Sequence, residues 1–149
     1  MLSKQNIYNA CTSIIEEKLE ELNLNMQNLK ESIAGEEKSS AGDKFETARA
    51  MAQKEMEQLN FQILKQQQDY KILLNIDINQ KFDHIQLGSL VKTKSKRLFI
   101  AVAIGRIHID NTDVFVISPS SPIGQLLIGQ EQGYKFTMAG KSDEVLELS

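Results

Sequence analysis

Cysteine is almost missing from this sequence. Cys11 stands alone, which rules out an internal disulfide and fits a reducing cytoplasm. Only His84 and His108 accompany it as soft or borderline metal ligands, so a zinc site cannot be built from protein groups alone. A metal would have to be held by oxygens, or shared with a partner. There is no run of about 18 apolar residues and no basic segment leading into an apolar one, so neither a membrane span nor a secretory leader is expected. Tryptophan is absent and aromatic residues make up 6%, which leaves little material for an aromatic-lined pocket. Positive charge is not in excess either. The net charge is −3 and the pI about 5.4, so there is no general basic surface for gripping nucleic acid.

What remains is the composition of a folded, water-soluble chain of 149 residues, 41% hydrophobic and 25% charged. Charge is unevenly placed. Residues 1–76 hold nine Lys and Arg against twelve Asp and Glu, whereas residues 77–149 hold eight of each. The periodicity changes at the same point. From Tyr8 to Ile33, Ile15, Leu19, Leu22, Met26, Leu29 and Ile33 step by 4, 3, 4, 3 and 4, a heptad seam flanked by Glu16, Glu17, Lys18, Glu20 and Glu21. "GEEKSSAG" then reads as a turn-rich loop. A second seam runs through Phe45, Ala48, Ala52, Met56, Leu59, Ile63, Gln66, Tyr70 and Leu73, with Gln66 as a polar residue that sets register. The spacing predicts an antiparallel coiled-coil hairpin over 1–76, with the Met and Leu stripe as its core.

A second domain is expected over 77–149. "GSLVKTK", "RLFIAVAI", "VFVIS", "YKFTM" and "EVLEL" are short β-rich runs separated by turn signals such as "DNTD" and "MAGKSD". One helix interrupts them in "ISPSSPIGQLLIG": Ser121 suits the N-cap, Pro122 the first turn and Gly129 the left-handed stop, with Ile123, Leu126 and Leu127 facing the sheet. The fold class is therefore α+β, a helical hairpin followed by a small antiparallel α+β domain with one short helix.

Few residues point to chemistry. Asp43 and Glu46 stand three apart after Gly42, the pattern of an N-cap and the N3 acid of a capping box. The same two carboxylates can share one side of a helical turn and offer themselves to a hard cation such as Mg²⁺, although two are too few for a self-contained site. "VKTKSKR" is read as placing Lys92, Lys94 and Lys96 on one face of a strand. That is first a solvated edge strand protected by lysines, and alternatively a contact for phosphate or an acidic partner. His84 and His108 read as ordinary surface residues. No Gly-rich phosphate loop follows a strand and no Ser/His/Asp or Cys/His arrangement is evident, so an autonomous enzyme is not indicated.

"ISPSSPIGQLLIGQ", Ile117 to Gln130, resembles the C-terminal signature of the bacterial Gre transcript-cleavage factors (GreA/GreB). Ser121, Pro122, Ile123, Gly124, Leu127, Ile128 and Gly129 match it, and Gly42, Asp43, Glu46 and Ala48 match the family's tip pattern. The order of parts also matches over nearly the whole chain. The resemblance implies a hairpin followed by an FKBP-like domain. It implies a cytoplasmic, monomeric protein that is not itself an enzyme and that binds RNA polymerase through the C-terminal domain. Its tip would enter the secondary channel, where Asp43 and Glu46 would assist with a Mg²⁺ shared with the polymerase, none being bound alone. Nascent RNA and DNA would be met only indirectly. Ser121, Pro122, Ile123, Gly124 and Gly129 would form or support the docking surface. Lys44, Phe45, Thr47, Arg49 and Ala50 depart from the family's tip pattern, and Gln125 and Gln130 replace residues that are usually basic. Beside cleavage stimulation stand a secondary-channel regulator without it, a coiled-coil interaction or scaffold module, and, from the fold alone, a prolyl isomerase.

Overall fold

The computed structural model describes residues 2–39 and 42–149, with the side chains of residues 36–39 and 43–45 outside that description. Two long helices come first, α1 (Lys4–Ser39) and α2 (Asp43–Leu74). Six strands follow: β1 (Leu90–Thr93), β2 (Arg97–Ile100), β3 (Gly105–Ile109), β4 (Thr112–Ile117), β5 (Lys135–Met138) and β6 (Lys141–Leu148). The short helix α3 (Pro122–Leu127) separates β4 from β5. The chain divides into two compact units, Ser13–Tyr70 and a second made of Met1–Thr12 with Lys71–Ser149. None of the helices described is long and apolar enough to cross a membrane.

In the hairpin unit the burial follows the heptad seam. Ile15, Leu22 and Ile63 are buried, while Leu19, Met26, Leu29 and Ile33 on α1 and Ala48, Ala52, Met56, Leu59, Gln66 and Tyr70 on α2 are half-buried. Phe45 lies among the side chains outside the description. The Tyr70 hydroxyl donates to Glu16 at 2.7 Å and pins the two helices together across the seam. Helix α1 does not stop at Gly35 as expected but continues to Ser39. A single helical glycine costs only about 1 kcal/mol, and Glu36, Glu37 and Lys38 are good helix formers that keep the ladder going. Opposite the seam, Phe61 is 72% exposed on α2.

In the other unit the strand order is β3-β4-β2-β1-β6-β5. The sheet is mixed, not wholly antiparallel: β2 and β4 are parallel, with Arg97 opposite Val114 and Ile100 opposite Ile117. The cause is β3, a strand not read from the sequence. The β3–β4 hairpin folds back so that β4 takes the place beside β2 and runs in its direction. Asp110 and Asn111, at φ 50° and 60°, form the two-residue left-handed turn of that hairpin, and Ala139 and Gly140, at 53° and 76°, do the same between β5 and β6.

Both faces of the central strands are apolar. On one, Val91, Leu98, Ile100 and Val145 pack with Ile85, Phe136 and the α3 residues Ile123 and Leu127. On the other, Phe99, Val114 and Val116 are fully buried. The helix ends counted in this unit contribute Ile7, Cys11 and Leu73, each with no exposed surface. Burial pushes the Cys11 thiol up to about 12, so it packs as a small apolar group and not as a nucleophile.

Helix α3 forms as its sequence predicts. Ser121 accepts from the Gly124 amide at 3.1 Å, Pro122 opens the first turn, and Gly129 stops the helix at φ 83°. Leu126 is the exception, 38% exposed, and Gly124 takes the buried place instead. A Cβ at Gly124 would lie 2.3 Å from the Ser118 carbonyl oxygen and 2.8 Å from that of Pro119. Gly124→Ala is therefore expected to lower the unfolding free energy measured by urea titration by at least about 2 kcal/mol, because the clash is with backbone. Gly35→Ala, where a Cβ would meet nothing within 4 Å, is expected to raise stability by roughly 0.5–1 kcal/mol through helix propensity.

Candidate functional site

The tip of the hairpin is built from backbone geometry first. The Glu46 amide donates to the Gly42 carbonyl at 3.3 Å, and Gly42 stands at φ 94°, a conformation that glycine holds without strain. Gly42 is thus the residue whose carbonyl accepts the first helical bond. Asp43 becomes the first helical position and Glu46 the fourth, one step further in than a capping box requires. The pairing of Asp43 as N-cap with Glu46 at N3 is corrected accordingly. Acids in this turn still complement the helix dipole. The Asp43 side chain lies outside the described residues. Glu46 is exposed, and its carboxylate has no hydrogen bond or ion pair with a described residue. Thr47, Arg49 and Ala50 beside it are exposed as well. No group of three or more His, Cys, Asp and Glu side chains able to hold a metal occurs among the described residues.

The five residues expected to serve docking all have work inside the fold. Ser121 donates to the Ser118 carbonyl at 2.7 Å while capping α3, and Pro122 sets the helix start. Ile123 enters the core, Gly124 permits the close backbone approach, and the Gly129 amide donates to the Ile85 carbonyl at 2.8 Å. The motif still leaves Pro122, Gln125 and Gly129 exposed, together with two large apolar side chains, Leu126 and Ile128, 38% and 37% exposed.

The lysine-rich run is not one strand. β1 ends at Thr93 and β2 begins at Arg97, with the Thr93 amide donating to the Lys96 carbonyl at 2.8 Å across a two-residue turn of Lys94 and Ser95. Nor is β1 an edge strand, since it lies between β2 and β6. The reading of Lys92, Lys94 and Lys96 as an edge-strand guard is therefore overturned. The turn is held by a polar cluster that local sequence did not reveal, because its third member is some fifty residues away. Asp143, nine-tenths buried, accepts from the Thr93 hydroxyl at 2.8 Å, from the Ser95 hydroxyl, and from the Glu144 amide at 2.8 Å. Burial would push its carboxyl up. The donations from Ser95, the Glu144 amide and Thr93 outweigh it and hold Asp143 below the ordinary aspartate range.

Both histidines have acidic partners. His108 Nδ1 lies 2.7 Å from Asp113. His84 places Nδ1 3.0 Å from Asp83 and Nε2 2.8 Å from Glu131, and the Asp83 contact is the main cause that raises its pKa.

The Asp143 cluster sets a pH dependence. Its depressed folded pKa adds stability that is present above the unfolded value of about 4 and is lost as pH falls through the folded one. Asp143→Asn is expected to cost about 1–3 kcal/mol at pH 7. It should also lose less further stability than the parent when urea unfolding is repeated at pH 3. No protein-family model matches this chain, and no curated protein sequence matches it.

Proposed function

We propose that this protein is a Gre-like regulator of transcription elongation. It docks on RNA polymerase through the sheet unit and extends the hairpin tip into the secondary channel. The observation that carries this reading is Glu46, an exposed carboxylate without a described partner at the start of α2, one helical turn from Asp43 in sequence. Such a pair fits a shared Mg²⁺, which takes one or two protein carboxylates and fills its remaining positions from water and phosphate. When bound there, the ion would supply electrostatic stabilisation for hydrolysis in the polymerase's own active site. This chain's part would be to present Asp43 and Glu46 at the start of α2. The sheet unit is read as FKBP-like, which is supported by the packing of a single short helix against one face of the sheet.

A second reading, docking without cleavage, is favoured by Arg49. It is exposed three residues after Glu46, where the resembled family carries an acid. A guanidinium one turn from the tip acids opposes a cation held there.

Stalled, backtracked polymerase complexes separate the readings. Transcript cleavage by the parent, and none by Asp43→Asn/Glu46→Gln, is the expected result. Polymerase binding without cleavage by the parent supports the second reading, and Arg49→Glu should then restore some cleavage. Absence of binding to polymerase overturns both.

A further inference from the structure

The back of α2, turned away from the seam, carries apolar surface that the hairpin unit does not cover. Phe61 is 72% exposed and Leu64, one turn on, 52%. Phe61 lines an open depression of about 390 Å³ together with Lys54, Glu57, Gln58 and Gln62. At about 100° per residue, Lys54, Glu57, Lys65 and Gln68 all fall within about 40° of the Phe61 direction. They form one stripe with Phe61 at its middle, and every one of them is exposed. Among the described residues, Lys54, Glu57 and Lys65 have no partner within ion-pair distance, although the charge of Lys65 reaches Asp69 one turn on.

The stripe is complementary to itself. When two copies lie antiparallel about a two-fold axis at Phe61, each residue before Phe61 meets the one equally far beyond it in the other copy. Phe61 then meets Phe61, Glu57 meets Lys65 twice, and Lys54 meets Gln68, so no like charges are opposed. A parallel pairing sets Glu57 against Glu57 and Lys65 against Lys65, which favours the antiparallel one. The back of α1 lacks this property. Its exposed Leu24 has Glu17 and Glu31 seven residues to either side, and the same operation sets those two acids against each other.

We propose that the back of α2 is a homodimer interface, in which two hairpins pair antiparallel through Phe61 with Glu57 of each copy against Lys65 of the other. The aromatic rings supply the buried apolar area, and the charge pairs fix direction and register. The monomer implied by the resemblance is then the dilute form of a reversible equilibrium. The interface lies within the hairpin unit, and it does not require the polymerase reading.

The test is sedimentation velocity on the full chain, from low micromolar to several hundred micromolar protein, with no polymerase present. A reversible monomer–dimer equilibrium with a Kd on the order of 10–100 µM is expected for one aromatic anchor with a polar rim. Phe61→Glu should raise that Kd at least about tenfold, and Leu24→Glu on α1 should leave it unchanged. Glu57→Lys alone and Lys65→Glu alone should each weaken pairing about fivefold or more, by setting like charges together. An equimolar mixture of those two single variants should pair again, because every charge contact across the interface is then between opposite signs. All four positions are exposed, and far-UV circular dichroism at low concentration establishes that the variants keep the parent's helix content. The proposal is overturned by a chain that stays monomeric at several hundred micromolar, by a dimer that Phe61→Glu leaves intact, or by a mixture that pairs no better than its components.

Discussion

Strands β2 and β4 carry apolar side chains on both faces, and neither face can be left to water. Phe99, Val114 and Val116 point one way; Val91, Leu98 and Ile100 point the other. Each such side chain contributes about 2 kcal/mol when fully buried, so leaving either face uncovered would exceed the net stability of an ordinary domain. Helix α3 answers for one face. The loop out of β4 can turn tightly into it because Gly124 has no Cβ to strike the Ser118 and Pro119 carbonyls, and because Ser121 holds its first turn. The ends of the long helices belong to the same compact unit and bring Ile7, Cys11 and Leu73 fully out of water.

The same demand explains why the lysine run is a turn and not an edge. β1 is buried on its Val91 and Thr93 face and half-buried on the other, which carries Lys92, and the chain folds back at Lys94 and Ser95 before β2 begins. Asp143 then serves a geometric purpose. A carboxylate nine-tenths buried is costly alone, but it receives two hydroxyls and an amide, and in return it fixes the turn. The lysines stand outward as a consequence of how the interior is satisfied.

The hairpin follows a different economy. Its seam is buried at Ile15, Leu22 and Ile63 and only half-buried at Met26, Leu29, Ile33, Ala48 and Ala52, where small residues on α2 replace large ones.

The sequence by itself determined much of what depends on neighbours within about four residues. The heptad spacing named nearly every buried and half-buried position of the hairpin seam. "DNTD" and "MAGK" marked turns that need left-handed residues, and Ser121-Pro122 and Gly129 marked both ends of α3. The one-residue shift at Gly42 and the missed strand β3 arose because cap geometry and pairing are settled by the carbonyls and strands they meet. Only the tertiary structure decided that β4 lies parallel beside β2, that β1 is internal, that Leu126 faces out, and that Asp143 reaches Thr93 and Ser95. Those are contacts between residues far apart in the chain, set by which faces must be covered, and no local pattern records them.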